Sequence, residues 1–272
     1  MYKTLLHPSK TNSQYILDIP VIGLGVWQIP ADNHTEKAVK WALDAGYRHI
    51  DTAQIYNNET QVGKIIKGRD DVFVTTKLWE DNFGYENAIK ACENSLSKLN
   101  RIDLFLVHSP HRPELRKETW DAMQYLLKNN YVGSIGVSNF GAHHIKEILD
   151  FAEIGPCINQ IEISPFLQRT ELVNFCDSNS ISITAYSPLT HGRMINDPKL
   201  QIIAERYKKT PAQVLVRWSM QKGNVVIPKS SNKDRIEQNF RIFDFALNQE
   251  DMNLLNQFDQ NLITCWDPTM EP

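Results

Sequence analysis

The sequence predicts an α/β protein built as a closed (β/α)8 barrel, and two observations carry that prediction. Short runs rich in β-branched and aromatic residues alternate with longer amphipathic runs from residue 20 to about residue 240. Eight such short runs are present, and no Gly-, Ser- or Pro-rich linker divides them into two groups. A closed barrel is therefore favoured over an open doubly wound sheet, with residues 1–272 forming a single domain.

The elements are predicted in chain order from local patterning. A β-hairpin is expected over residues 4–20, with its turn around residues 10–13, ahead of the barrel. Eight barrel strands follow, at residues 21–24, 49–51, 72–77, 104–108, 134–137, 158–162, 182–186 and 225–227.

The runs between these strands carry one apolar stripe each, which is typical of helices that cover a sheet. One stripe contains Ile89, Cys92, Leu96 and Leu99, and another contains Trp120, Met123, Leu126 and Leu127. An extra helix is predicted over residues 248–258 and an irregular tail over residues 259–272.

Composition and charge exclude several classes of function. The chain has 29 Lys and Arg against 32 Asp and Glu, a net charge of −3, and no block of like charges, which argues against nucleic-acid binding. Residues 1–10 have no apolar core of a signal peptide, and no window approaches the ~18 apolar residues of a membrane span. We therefore expect a cytoplasmic, monomeric protein.

The cysteines do not predict a disulfide framework or a zinc site. They are too widely spaced for either, without a CxxC pair, at Cys92, Cys157, Cys176 and Cys265. Cys265, in the tail, is expected to be the most exposed of them.

Polar residues stand where the predicted strands end, and in such a barrel the active site lies at those carboxyl ends. The set comprises Asp51 with Tyr56 five residues on, Lys77, His108, Ser138, Asn139, Gln160, Tyr186 and Ser187. Each residue alone has an ordinary structural explanation, such as a helix cap or a buried core histidine. Together, Asp, Tyr, Lys and His at one mouth suit proton transfer to a carbonyl oxygen.

Two interpretations of Lys77 follow from its chemistry. Its ammonium could lower the pKa of Tyr56 so that the phenol acts as a general acid. It could instead form a Schiff base if burial lowered its own pKa. Asp51 argues against the Schiff base, because a carboxylate stabilises the charged amine.

Motifs along nearly the whole chain resemble the aldo-keto reductase family, in particular its short-loop members such as 2,5-diketogluconate reductases, glyoxal reductases and prostaglandin F synthases. These motifs occur in the order that the family has. They are GYRHIDTAQIY at 46–56, TTKLW at 75–79, GVSNF at 136–140, NQIEISP at 159–165, AYSPL at 185–189 and VIPKSSNKDRIEQN at 226–239.

The resemblance implies a TIM-barrel oxidoreductase that binds NADPH without a Rossmann fold and reduces small aldehydes and ketones to alcohols. Tyr56 matches the proton donor, Lys77 the group that lowers its pKa, Asp51 the partner of Lys77, and His108 the group that orients the carbonyl. The alternative is a catalytically weak NADPH-binding homologue with a regulatory or structural role.

The resemblance also assigns cofactor and substrate positions. Ser138, Asn139 and Gln160 match carboxamide contacts, and Tyr186 matches the ring that stacks on the nicotinamide. The pyrophosphate contacts match Ser187 and Leu189. The adenine and 2′-phosphate site matches Lys229, Ser230, Asn232, Arg235, Gln238 and Asn239. The expected substrate-lining residues are Trp27, Trp79, Ser109 and Trp266.

Two positions depart from the family pattern. Ser109 stands where many relatives carry Trp, which predicts a smaller and more polar pocket wall. Thr190, followed by His191, stands where relatives often have Gly, which changes the loop expected to close over the pyrophosphate.

Two other patterns carry no site. Gly23 and Gly25 begin a GxG, but the third glycine of a dinucleotide fingerprint is missing. Prolines break any helix that would align His108 with His111, so no metal is expected.

Overall fold

A two-stranded hairpin begins the chain. The structure, a computed structural model, describes residues 1–10 and 15–272. Strand β1 (Tyr2–Leu6) pairs antiparallel with β2 (Ile16–Pro20), with Tyr2 opposite Pro20 and Leu6 opposite Ile16. The hairpin prediction is confirmed, and most of its predicted turn lies outside the described residues.

Eight parallel strands form one sheet whose neighbours follow chain order. They are β3 (Leu24–Gly25), β4 (His49–Asp51), β5 (Phe73–Leu78), β6 (Leu104–Val107), β7 (Ile135–Ser138), β8 (Ile158–Glu162), β9 (Ser182–Tyr186) and β10 (Val225–Val226). Single parallel bridges from Ile22 to Val226 and from Gly25 to Lys229 join the first strand region to the last. The sheet thus curls round on itself, and the predicted (β/α)8 barrel class is confirmed.

Ten α-helices accompany the strands of the described chain. They are α1 (Asn33–Ala45), α2 (Glu59–Ile66), α3 (Tyr85–Leu99), α4 (Arg116–Lys128), α5 (Ala142–Phe151), α6 (Thr170–Ser178), α7 (Pro198–Tyr207), α8 (Pro211–Gln221), α9 (Lys233–Phe240) and α10 (Gln249–Asn256). Their starts follow local sequence: Thr210 and Gln213 form a capping box at α8, and Asn248 accepts from the backbone N–H of Asp251 at α10. Helix α10 is the predicted extra helix. None of the helices in residues 1–10 and 15–272 is long and apolar enough to cross a membrane.

The hairpin plugs the amino-terminal end of the barrel. Leu5 and Ile19 are fully buried and share a cluster with Phe73, Leu104 and Ile158, residues at or near the starts of their strands. The larger core lies between the strands and the surrounding helices. The opposite end of the barrel is therefore the end left for a site.

The tail, residues 259–272, has no helix or strand, as predicted, and contacts the carboxyl end of β8. Glu162, the buried last residue of β8, accepts hydrogen bonds from the backbone N–H groups of Thr264 (3.0 Å) and Cys265 (3.1 Å). Arg169 forms an ion pair with Asp267 at 2.9 Å. These contacts hold the tail beside the strand ends.

Candidate active site

The predicted strand-end residues lie around a cleft of about 420 Å³ at the carboxyl end of the barrel. Parallel strands bring their ends to one rim, so residues far apart in sequence become neighbours there. The cleft is lined by Asp51, Tyr56, His108, Ser138, Asn139, Gln160, Tyr186, Ser187 and Lys229, among others.

Lys77 lies directly behind this wall, fully buried in β5. Its ammonium donates to Asp51 Oδ1 at 2.6 Å and to the carbonyl oxygen of Thr52 at 2.9 Å. The same nitrogen is 3.5 Å from the hydroxyl of Tyr56. Gln160 donates from Nε2 to the second oxygen of Asp51 at 2.7 Å. Both oxygens of this buried carboxylate therefore have partners, which is what a buried ion pair needs in order to be tolerated.

Tyr56 has a pKa raised well above 10, chiefly because burial disfavours the phenolate and secondarily because of the charge on Asp51. The net shift of the Tyr56 pKa is therefore upward, and the expectation that Lys77 acts to lower it stays a prediction. Burial also lowers the pKa of Lys77, against which the Asp51 carboxylate acts. Tyr56 consequently stays a protonated phenol throughout the neutral range.

His108 follows β6 and is buried between two aromatic rings. Its ring centroid lies 5.7 Å from that of Tyr56 and 5.3 Å from that of Trp79, both edge-to-face. Burial, followed by the charge on Lys77, puts the pKa of His108 well below 6.5. Its buried Nδ1 has no hydrogen-bond partner within residues 1–10 and 15–272. At neutral pH His108 is an uncharged imidazole that can donate one hydrogen bond.

Asn139 links His108 to Tyr186 across the cleft. It adopts a left-handed backbone conformation, with φ of 64°, which asparagine tolerates better than most residues. Its Nδ2 donates to the carbonyl of His108 at 3.0 Å, and its Oδ1 accepts from the hydroxyl of Tyr186 at 2.8 Å. Ser138 donates to the carbonyl of Gln160 at 2.9 Å. These bonds hold the Tyr186 ring at the cleft wall.

A cationic segment continues from the cleft to the start of α9. Ser230 accepts from the backbone N–H of Asn232 at 3.1 Å, and Asn232 caps the helix by accepting from the N–H of Arg235 at 3.0 Å. Lys229 and Arg235 form no ion pair with any residue in the described part of the chain. Two unpaired cations beside a helix N-terminus suit an anion.

The remaining predicted cofactor positions of that segment, Gln238 and Asn239, lie further along α9, outside the cleft lining. Gln238 is exposed and Asn239 is buried. Leu189 packs against the hydrophobic core and likewise does not line the cleft.

Of the four residues predicted to line the substrate pocket, three line the cleft and one does not. Trp27, Trp79 and Trp266 line the cleft, whereas Ser109 does not. Ser109 is fully buried and donates to Glu80 Oε2 at 3.2 Å, so its hydroxyl faces the chain rather than the opening. The predicted polar pocket wall at this position is therefore wrong.

Sequence reasoning missed several lining residues, namely Gly25, Gln28, Ile55, His191, Ile227 and Cys265. Two of them meet at the cleft edge: His191 Nε2 lies 3.0 Å from Cys265 Sγ and 3.1 Å from Ser187 Oγ. His191 and Thr190 both have positive φ, 52° and 51°. No local signal indicates this contact, because it joins a loop to the tail 74 residues later.

Comparison with known proteins identifies the family of the chain. The chain matches the Aldo/keto reductase family over residues 21–260. It is 42% identical over 251 residues to the glyoxal reductase of Bacillus subtilis, covering 90% of this chain and 91% of that protein. It is also 42% identical over 259 residues to the 9,11-endoperoxide prostaglandin H2 reductase of Trypanosoma cruzi, covering 92% and 91%.

Among solved structures, an aldo-keto reductase of Bombyx mori in complex with NADP superposes with a TM-score of 0.85 at 38% identity, covering 93% of each chain. The resemblance drawn from the motifs is thus confirmed over most of the chain. The protein belongs to the aldo/keto reductase family and is an oxidoreductase.

Proposed function

We propose that this protein reduces aldehydes and ketones to alcohols with NADPH, and that Tyr56 supplies the proton. The observation that carries the proposal is the buried chain from Asp51 through Lys77 to Tyr56, with an uncharged His108 on the same cleft. This set combines a proton donor, a cation behind it and a second hydrogen-bond donor at one place.

The cleft and its cationic extension fit a phosphorylated nicotinamide dinucleotide. Tyr186 offers a fixed aromatic ring, and Ser138, Asn139 and Gln160 offer polar atoms beside it. Lys229 and Arg235 would hold a phosphate, since neither is neutralised by a carboxylate among the described residues. The complex of the Bombyx mori relative with NADP supports the same cofactor. When bound, the nicotinamide supplies the hydride.

The residues of this chain then handle the proton and the charge. As negative charge develops on the carbonyl oxygen, Tyr56 and His108 stabilise it with hydrogen bonds. Tyr56 gives up its proton because an alkoxide is a stronger base than a phenolate, even with its pKa raised by burial. Lys77, 3.5 Å away, stabilises the phenolate that is left, and Asp51 keeps Lys77 charged.

The walls of the cleft favour apolar carbonyl compounds. Three tryptophans and two isoleucines, Trp27, Trp79, Trp266, Ile55 and Ile227, face the space beside Tyr56 and His108. Flat side chains of this kind bury aromatic or aliphatic groups and leave the carbonyl to the polar residues.

The test is NADPH oxidation with an aromatic aldehyde, a small dicarbonyl and a cyclic ketone. Replacing Tyr56→Phe should lower kcat by roughly 10² to 10⁴-fold, because it removes only the hydroxyl group that carries the transferable proton. NADPH affinity, measured by fluorescence quenching, should stay unchanged. Tyr125→Phe on the surface of α4 is the matched control. A Tyr56→Phe variant with more than half of the wild-type kcat would show that another group donates the proton.

A further inference from the structure

His111, three residues after His108, lies between two carboxylates outside the catalytic cluster. Its Nδ1 is 2.9 Å from Glu80 Oε2, and its Nε2 is 2.8 Å from Glu271 Oε2. Each ring nitrogen of His111 is thus within hydrogen-bond distance of a different carboxylate. The His111 ring therefore joins the turn after Trp79 to the end of the tail.

The same ring contacts a wall of the cleft. The centroids of His111 and Trp266 are 5.0 Å apart, and the ring planes meet at 70°. Trp266 lines the cleft while 43% of its surface is exposed, so its orientation depends on few neighbours. An edge-to-face contact of this geometry restricts such a ring.

Ser109 now has a structural explanation. It donates to Glu80 Oε2, the same oxygen that accepts from His111. The serine thus holds the Glu80 carboxylate in position for the histidine. The departure from the family pattern at position 109 supports the clamp made by Glu80, His111 and Glu271.

Other polar groups nearby bond to backbone carbonyls or to one another. His143 and His144 of α5 contact the carbonyl oxygen of Glu271 at 2.9 and 2.7 Å. Arg116 of α4 forms an ion pair with Glu147 and donates to the carbonyl of Pro110 at 2.7 Å. The Glu271 side chain and the Trp266 ring are thus held by His111.

We propose that His111 is a positioning residue that sets the Trp266 wall of the substrate cleft. By holding Glu271 and the Trp266 ring, it keeps the tail in a place where a flat aromatic aldehyde finds an apolar surface. The substrate part of this inference rests on the proposed function, whereas the tail-positioning part does not.

The first experiment reports on the tail without any turnover. Cys265 precedes Trp266 and is half-buried, while Cys92, Cys157 and Cys176 are buried. Its rate of reaction with a disulfide reagent such as DTNB therefore measures how closely the tail is held, because thiol reaction depends on access.

His111→Ala should accelerate this labelling at least about threefold, through loss of one ring contact and two charge-assisted bonds. His34→Ala is the matched control, since His34 also bonds a carboxylate, Asp32 at 2.8 Å, but lies outside the cleft. Cys265→Ala, which should abolish fast labelling, verifies the labelled thiol. An unchanged rate in His111→Ala overturns the proposal.

The second experiment is kinetic and compares 2-naphthaldehyde with methylglyoxal. In His111→Ala, KM for the naphthaldehyde should rise about three- to tenfold, the equivalent of one aromatic contact, with kcat unchanged. KM for methylglyoxal, which is too small to reach Trp266, should change less than about twofold. His111→Phe, which retains the ring, should recover most of the loss.

A double variant separates positioning from general damage. If His111 acts through Trp266, adding His111→Ala to Trp266→Ala should raise KM no further. Additive effects, or equal effects on both aldehydes, would contradict the inference. If the wild-type protein turned over neither aldehyde, the proposed function would fail, while the labelling experiment would still decide whether His111 positions the tail.

Discussion

At the scale of single residues, Tyr56 experiences two opposing effects. Burial disfavours its phenolate. The Lys77 nitrogen lies 3.5 Å from its hydroxyl, and a cation at that distance favours a phenolate. Burial dominates, so the phenol holds its proton until a stronger base is formed beside it. In the proposed mechanism, such a donor keeps its proton until the alkoxide forms and then releases it to that oxygen.

The pH dependence of reduction should follow from these directions. In the proposed mechanism Tyr56 acts as an acid, so activity should be lost as pH rises through its pKa, and its raised pKa moves that loss to higher pH. The proposed mechanism uses an uncharged His108, and its lowered pKa moves the loss of activity on the acid side to lower pH. With saturating NADPH, kcat/KM for an aldehyde should vary less than about threefold from about pH 6 to about pH 9. An alkaline decline centred below pH ~9 would contradict the assignment.

Substitutions of Asp51 and Lys77, the buried ion pair, should have strongly non-additive effects on the free energy of unfolding. Removing either partner leaves the other charge buried and unpaired, which typically costs about 3–5 kcal/mol. Asp51→Asn and Lys77→Met should each lower the free energy of unfolding by about 3 kcal/mol, and the double variant by clearly less than their sum. Urea unfolding measures all three.

The exposed pair of Lys64 and Glu36, at 2.8 Å, provides a control cycle. The interaction energy from the double-mutant cycle on this pair should stay below about 1 kcal/mol, because solvent screens the two charges. Equal coupling in the two pairs would mean that the Asp51 and Lys77 contact is not protected from water.

Strand-end residues could be predicted from sequence because parallel strands converge at one rim. Asp51, Lys77 and Tyr186 lie on the strands where the pattern puts them. The pKa direction of Tyr56 could not be predicted, since the cost of burial depends on everything packed around it. The position of Ser109 was missed because Glu80, its partner, comes from another loop.

At the scale of elements, α9 combines an N-terminal cap with two unpaired cations. The cap by Asn232 leaves the positive end of the helix directed at the loop that holds Lys229 and Ser230. The 2′-phosphate, which NADH lacks, is the group we assign to this place. Helix α9 should therefore set the preference between the two cofactors.

Arg235→Ala should weaken NADPH binding by about ten- to a hundredfold, the loss of one charge-assisted contact, and leave NADH binding little changed. Arg241→Ala is the matched control, because Arg241 lies just after the same helix and reaches Glu237 at 3.5 Å. Fluorescence titration with both cofactors gives the two dissociation constants. Equal weakening of NADPH and NADH would show that Arg235 does not contact the distinguishing phosphate.

Most elements could be predicted because strand and helix periodicities are local. The path of the tail could not, since Glu162 and Arg169 hold it from 102 and 98 residues away along the chain. The contact of His191 with Cys265 depends on that path. Long-range contacts of this kind leave no periodic signal.

At the scale of the whole molecule, the barrel separates stability from chemistry. The hairpin closes the amino-terminal end with Leu5 and Ile19, whereas the cleft opens at the other end under the tail. Residues at the amino ends of the strands therefore stabilise the fold, whereas residues at the carboxyl ends of the same strands determine the activity.

Replacing Leu5→Ala tests that separation. Leu5 is fully buried in the cluster beneath the strands, so the cavity left behind should lower the free energy of unfolding by about 2–5 kcal/mol. Its neighbour Leu6 is 47% exposed on the other face of the hairpin, and Leu6→Ala should cost less than about 1 kcal/mol. Well below the melting temperature, both variants should retain kcat and KM within about twofold, because neither side chain reaches the cleft. A Leu5→Ala variant that kept its stability but lost turnover would mean that the plugged end communicates with Tyr56, and the two ends would have to be treated as one unit.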